Sequence, residues 1–248
     1  MSRTDDTGFG GIKVIQNRGS GYGIDAVLLA AFAAGETGAK GLPKSSAAPL
    51  RIADLGTGCG VAAFILHHKL GGAAMTGFDI SADSIDRARR ACTMNGLSAD
   101  MEFICTDIRN ISAAADFDAV ITNPPYFRRT PDEPGAADPD ERYIARHETT
   151  ADIADFAAAA TDLLAEGGHL YMVHRPDRLA DIFSALKAAG SEPKEMQFVV
   201  PKPGKAANIV LIHAVKGAGS ELRMLPQITV HTSDGGYTDE ILKYYERA

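Results

Sequence analysis

No apolar run in this chain approaches the roughly 18 residues needed to cross a bilayer, so no membrane-spanning helix is expected. The opening residues, Met1-Ser2-Arg3-Thr4-Asp5-Asp6, are polar and carry no signal-peptide core. Cysteine is scarce. Cys59, Cys92 and Cys105 are odd in number and lack metal-site spacing, so they read as free thiols of a reducing cytoplasm, and no metal site is expected. Positive charge is in deficit as well. A net charge of −7 excludes a chain-wide basic footprint of the kind nucleic-acid binders carry. The dinucleotide fingerprint Gly-x-Gly-x-x-Gly is missing, and no segment repeats. What remains is an ordinary globular composition. The chain has 248 residues, 45% of them hydrophobic, enough for one large domain or a domain with a small appendage.

Against that background Asn123-Pro124-Pro125-Tyr126 stands out. It follows Ala119-Val120-Ile121-Thr122, an apolar, β-branched run that reads as a buried strand. Open α/β sheets keep their ligands at the carboxyl ends of their strands. An amide, two prolines and an aromatic at that place suit the methylation of a planar exocyclic amine. Such an amine is a poor nucleophile because its lone pair is delocalised. The Asn123 side-chain oxygen and the Pro124 carbonyl can each accept one of its hydrogens, which draws the nitrogen toward a tetrahedral shape and frees the lone pair. Proline stiffens the backbone that aims those oxygens. The Tyr126 ring offers a stacking surface, worth roughly 1–3 kcal/mol per base. Behind it lie Phe127 and a run of cations, Arg128, Arg129, Arg142, Arg146 and His147, a local basic patch or simply a solvated surface.

A second motif, Asp54-Leu55-Gly56-Thr57-Gly58-Cys59-Gly60, joins a strand to a helix. Its glycines let the turn tighten and a ligand come close. The acid ahead of the first glycine would repel a pyrophosphate and can instead hold an amino-acid ammonium. That choice favours S-adenosylmethionine, which has no phosphate, over NAD. Asp79, with Ile80 beside it, ends the next strand at the offset of a ribose-binding acid, or else serves the cap of the helix that follows. Asp107 and Ile108 end the third strand, placed to meet an adenine or to cap a turn. Acids after three strands and an amide after the fourth converge on one crevice.

The organisation agrees. From Arg51 onward strands near 51–55, 74–79, 101–105, 117–122, 168–174, 196–200 and 207–214 alternate with helices near 60–69, 81–95, 152–165 and 177–189. Ahead of them, 12–16 reads as a strand, Asn17 to Gly21 as a turn, and Asp25 as the cap of a helix over 26–32. A segment rich in proline and acids over 128–142 reads as a loop. An extended stretch, Leu225 to His231, and a short helix from Thr238 close the chain.

Together these residues resemble a class I S-adenosylmethionine-dependent methyltransferase of the amino-methylating branch. The segment Tyr22-Gly23-Ile24-Asp25-Ala26, Arg146-His147-Glu148 and the tail Gly236-Tyr237-Thr238-Asp239-Glu240 narrow the likeness to bacterial tRNA1(Val) adenine-N6 methyltransferases. The resemblance implies a Rossmann-like α/β fold with a seven-stranded, mostly parallel sheet, helices on both faces, an antiparallel last strand and a small N-terminal hairpin extension. It places that hairpin and helix in residues 1–35 and the methyltransferase domain in 50–248. Asn123, Pro124, Pro125 and Tyr126 become the catalytic set. Tyr22, Asp25, Asp54, Gly56, Thr57, Gly58, Gly60, Asp79, Ile80, Asp107, Ile108 and Asn123 face the cofactor, S-adenosylmethionine. Tyr126, Phe127, Arg128, Arg146 and His147 face an RNA substrate, the anticodon loop of a tRNA. Two other acceptors fit the same chemistry: a protein glutamine amide (N5) and a ribosomal-RNA guanine (N2).

Overall fold

The computed structural model describes residues 2–17, 22–44, 48–111, 116–128, 148 and 150–247. Parallel β-strands form where short apolar runs recur: β3 (Arg51–Leu55), β4 (Ala74–Asp79), β5 (Met101–Cys105), β6 (Phe117–Thr122) and β7 (Leu164–His174). Two further strands, β8 (Ser191–Val200) and β9 (Ile209–Lys216), follow, with short edge pieces β10 (Arg223–Met224) and β11 (Ile228–Thr229). The order across the sheet is β10-β8-β9-β7-β6-β3-β4-β5, with β11 also on β8. β9 runs antiparallel to both β7 and β8, while β3 to β7 pair in parallel. The seven expected strands are therefore β3 to β9, and the two short pieces on β8 raise the sheet to nine.

Alternate residues of each strand feed two apolar layers. Ile52, Ile121, Val173 and Leu211 pack with α1 (Ile24–Ala33), α2 (Val61–Leu70) and α3 (Ala82–Met94). Ala53, Val120, Met172 and Ile212 pack with α4 (Ile153–Leu163) and α5 (Leu179–Ala189) on the other face. The chain runs outward from β3 to β4 and β5, then returns to place β6 on the opposite side of β3. That reversal opens a crevice at the carboxyl ends of the central strands.

Several local expectations change. The hairpin pairs β2 (Lys13–Asn17) with β1 (Ser2–Asp6), which precedes it, so its connection spans residues 7–12; most of the turn expected at 17–21 lies outside the described residues. Asp25 is not the cap of α1: Gly23 takes that position without a side-chain bond, and Asp25 lies in the first turn. β7 and β8 begin earlier than the apolar pattern suggested, and the extended tail shortens to β11 and one bridge, His231 to Tyr237. The last helix, α6 (Asp239–Tyr244), starts where expected, with Thr238 as its cap.

Remote from the crevice, a polar seam crosses the antiparallel strands. His169 Nδ1 lies 2.9 Å from His213 Nε2, and His213 Nδ1 lies 3.2 Å from Glu195 Oε2. Arg223 pairs with the other Glu195 oxygen. The Tyr171 ring stacks on His213 at 4.7 Å and its hydroxyl donates to the Lys40 carbonyl at 2.8 Å. Burial pushes His213 down to about 4, so its ring is neutral.

Candidate active site

The loop between β3 and α2 is built on hydrogen bonds to its neighbour strand. The Gly56 and Thr57 amides donate to the Phe78 carbonyl at 2.9 and 3.0 Å. Gly60 opens α2 at φ +83°, and a Cβ there would lie 2.9 Å from Phe64 Cε2 and 3.0 Å from Phe103. Gly77 of β4 is equally confined: a Cβ would meet Phe103 at 2.5 Å and Thr57 Cγ2 at 2.9 Å, so the strand must come this close for Thr57 to hold its place. Asp54 is buried beneath the loop, where the Thr57 hydroxyl donates to it at 2.7 Å. Burial lifts its carboxyl to about 7, against the Thr57 hydrogen bond, and the nearby Asp79 charge adds to the rise.

The crevice itself has a volume of about 440 Å³. Gly56 and Gly58 form its floor, and Asp79, Ile80, Asp107 and Ile108 one wall; Asn123 and Pro125 supply the other. Asp79 fills both of its expected roles. It lines the crevice while its two oxygens accept from the Gly58 and Ser81 amides, each at 2.8 Å. Ile80 is 42% exposed, an apolar surface kept open at the rim. Asp107 caps a 3₁₀ turn, Ile108–Asn110, through the Arg109 amide. The Arg109 guanidinium also binds it and holds its carboxyl below the usual range.

Asn123 is half-buried and faces the crevice, while Pro124 is buried behind it. Thr122 anchors this turn by donating to the Leu55 carbonyl at 2.8 Å. The Tyr126 hydroxyl is buried beside Asp25 and Asn123 but meets neither at hydrogen-bond geometry. Burial and then the Asp25 charge push that phenol well above its ordinary value, and burial likewise raises Asp25. Edge-on to the Tyr126 ring lies His174, at 5.2 Å and 63°. Burial, with the Arg178 charge second, takes His174 down to about 4.

The remaining expected residues distribute unevenly. Thr57 and Gly60 are buried within the loop; they support the floor and do not line it. Tyr22 also lies outside the lining, its hydroxyl donating to the Thr7 carbonyl of the hairpin connection at 3.2 Å. Phe127 is 42% exposed with the Arg175 guanidinium 5.4 Å from its ring centre, and Arg128 pairs with Asp181 at 2.6 Å. Arg146 and His147 lie outside the described residues. Sequence reasoning missed Ser81, Asp83 and Ser84 of the α3 start, Thr150 and Ala151 just before α4, and Phe156 within it. The Asp152–Asp155 capping box marks where α4 begins and so offered a signal for Thr150 and Ala151; Phe156 offered none beyond ordinary core spacing.

Residues 39–138 match the family model of the methyltransferase small domain. A tRNA1(Val) (adenine(37)-N6)-methyltransferase of Bacteroides fragilis is 26% identical over 226 residues, covering 89% of this chain and 87% of that protein. The chain is a methyltransferase. A second enzyme of the same description, from Porphyromonas gingivalis, is 25% identical across 90% of the methyltransferase and 86% of its own length. A release factor glutamine methyltransferase of Chlorobaculum tepidum reaches 33% identity, over only 59% of this chain and 52% of that one. Among solved structures, a predicted O-methyltransferase of Agrobacterium tumefaciens superposes with a TM-score of 0.68 at 24% identity, covering 90% of this chain and 97% of that one. The 1,6-didemethyltoxoflavin-N1-methyltransferase of Burkholderia thailandensis, solved with S-adenosylhomocysteine, superposes at 0.53 with 16% identity, over 78% and 79% of the two chains. At these identities the structural likeness speaks to the fold.

The donor set of the crevice suits a nucleoside carrying positive charge. Asp79, Asp83 and Asp107 line it, with Asp54 beneath, so a diphosphate would meet repulsion from these acids. No helix among the described residues is long and apolar enough to cross a membrane, and no cluster of three or more metal-ligating side chains occurs among them.

Proposed function

We propose that this methyltransferase transfers a methyl group from S-adenosylmethionine to an exocyclic base amine, adenine N6 of a tRNA anticodon loop. The observation that carries the reading is Asn123, half-buried on the crevice rim with Pro124 behind it and Tyr126 beside it. The relatives in Bacteroides fragilis and Porphyromonas gingivalis support the choice of acceptor, since they match nearly end to end.

The cofactor supplies an electrophilic methyl group on a sulfonium. Asp79 accepts from its ribose hydroxyls, Asp107 and Ile108 seat its base, and Asp54 faces its ammonium from below the glycine loop. On the acceptor side, the Asn123 oxygen and the Pro124 carbonyl take the two amine hydrogens. Tyr126 stacks the base, with Phe127 and Arg128 flanking it. No strong base is needed, because the amine becomes acidic only once methylated. Alignment of acceptor and donor can contribute roughly 7–11 kcal/mol to the rate. Leaving the base stack costs a few kcal/mol, less in a loop than in duplex.

Incubation of the protein and labelled cofactor with total tRNA, ribosomal RNA and release factor, followed by nucleoside and amino-acid analysis, tests the reading. N6-methyladenosine in tRNA is expected. Label in N2-methylguanosine or methylglutamine would replace it with one of the two rival acceptors. Asn123→Ala should abolish turnover while cofactor affinity stays within a few-fold; lost cofactor binding in that variant refutes the assigned role.

A further inference from the structure

Phe127 and Glu148 bracket residues 129–147, and the two ends meet: the Glu148 amide donates to the Phe127 carbonyl at 2.8 Å. Charged side chains clasp this junction from α5 and the turn before it. Arg178 Nη2 donates to Glu148 Oε1 at 2.9 Å and Arg178 Nε to Asp181 Oδ2 at 2.8 Å; Arg128 Nη2 reaches the same Asp181 oxygen at 2.6 Å. The inner pair, Arg178 and Glu148, has side chains only 12% and 9% exposed, so water screens it little. The outer pair, Arg128 and Asp181, is open to solvent and contributes far less.

A second observation points to the same place. Among the described residues ten buried side-chain nitrogen and oxygen atoms lack a hydrogen-bond partner, and five of them belong to Tyr126, His174, Arg175 and Arg178. Buried polar groups are nearly always satisfied, and exceptions gather where a structure serves something besides its own stability. The clasp also sits one residue from Tyr126 and makes no part of the crevice lining.

We propose that Arg178 is a positioning residue for the acceptor site. By gripping Glu148 it fixes the Phe127 carbonyl, and through that carbonyl the depth and tilt of the Tyr126 ring against His174. The inference rests on the methyl-transfer reading of Asn123 to Tyr126. Arg178 lies outside the crevice lining, so loosening it displaces the acceptor base without disturbing the crevice.

The test compares Glu148→Gln, Arg178→Gln, their double variant and Arg178→Lys, with Arg90→Gln, half of an exposed pair with Asp86, as a control. Three quantities are read: acceptor turnover, cofactor affinity by titration, and hydrogen exchange of the Glu148 amide. Each Gln variant should lower kcat about 10- to 100-fold, the cost of a misplacement near 1 Å, with cofactor affinity within a few-fold. The Glu148 amide should exchange at least about tenfold faster, since opening the junction then costs less. The double variant should be no worse than the poorer single, and Arg178→Lys should recover part of the rate, an ammonium reaching one carboxylate where the guanidinium reaches two. Unchanged kcat with faster exchange overturns the proposal, as do losses that multiply in the double variant or an unaltered amide. Should Arg178→Gln fail to fold by thermal melting, the isosteric Glu148→Gln decides alone. If the unaltered protein methylates no acceptor, the functional reading falls, and the exchange rates settle the clasp by themselves: coupled rates support it and independent rates overturn it.

Discussion

Replacing Asp54 with asparagine should stabilise the ligand-free protein, by an amount that grows with pH. The carboxyl is 2% exposed, and burial lifts it to about 7. In the unfolded chain it titrates near 3.9. Below that pH both states are protonated and the group has no effect on stability. Between about 4 and 7 the folded protein keeps a proton that the unfolded chain has released, so folding weakens as pH rises. Above 7 both states are ionised and the whole penalty is present. Three pH units at 1.36 kcal/mol each give at most about 4 kcal/mol. For a chain of this size each kcal/mol moves Tm by about 2–4 °C. The gap in Tm between Asp54→Asn and the unaltered protein should therefore widen by as much as about 8–16 °C from pH 4 to pH 8. Circular-dichroism melts at unit pH steps measure it. A gap constant to within about 2 °C would refute the buried-carboxyl reasoning. The same variant should bind cofactor more weakly, because the group that burdens the empty fold is the one proposed to face the cofactor ammonium; gain and loss should appear together.

Three further outcomes are expected. Gly60→Ala forces a left-handed residue, about 1–2 kcal/mol, and drives a methyl group against Phe64 and Phe103; urea denaturation should show a loss above about 2 kcal/mol together with weaker cofactor binding, and a loss under 0.5 kcal/mol would contradict it. Lys69→Met removes a fully buried ammonium that donates to Glu36 at 2.7 Å and to the Tyr244 carbonyl at 2.9 Å; leaving Glu36 without it should cost about 3–5 kcal/mol in urea denaturation, and a cost under 1 kcal/mol would show the pair to be dispensable. Phe156→Ala should cost about 3–5 kcal/mol and weaken cofactor binding by calorimetry, since that ring lies against Gly56 on the crevice floor; unchanged affinity would remove Phe156 from the site.

Much of this was legible in the sequence because the parallel strands are short apolar runs that end in an acid or an amide. Asp79 and Asn123 can be placed from that pattern alone, since a parallel sheet puts every strand's carboxyl end on one side. The first strand was not legible: Ser2–Asp6 has no apolar alternation, and its pairing is carried by backbone. Asp25 looked like a cap because first-turn acids and capping acids share a composition, and only the fold shows it turned toward Tyr126. The start of β8 was hidden by Pro193, which sits at a break in register. Arg178 with Glu148, and Phe156 over Gly56, join residues thirty and a hundred positions apart, and no local pattern in a single chain encodes such meetings.

The polar seam at the far end of the sheet has a consequence for how the strands find their alignment. Glu195 stands opposite His213. A slip of two residues along β9 would set it against Leu211 or Val215 and take away its His213 partner, leaving Arg223 of β10 as its side-chain contact. The seam therefore works as a key that turns in a single lock: strands β8 and β9 can zip together in many frames, but in one alone does the Glu195 carboxylate meet the His213 ring. Acid would blunt the key by protonating Glu195, so refolding at low pH should yield misaligned chains that refolding at neutral pH does not.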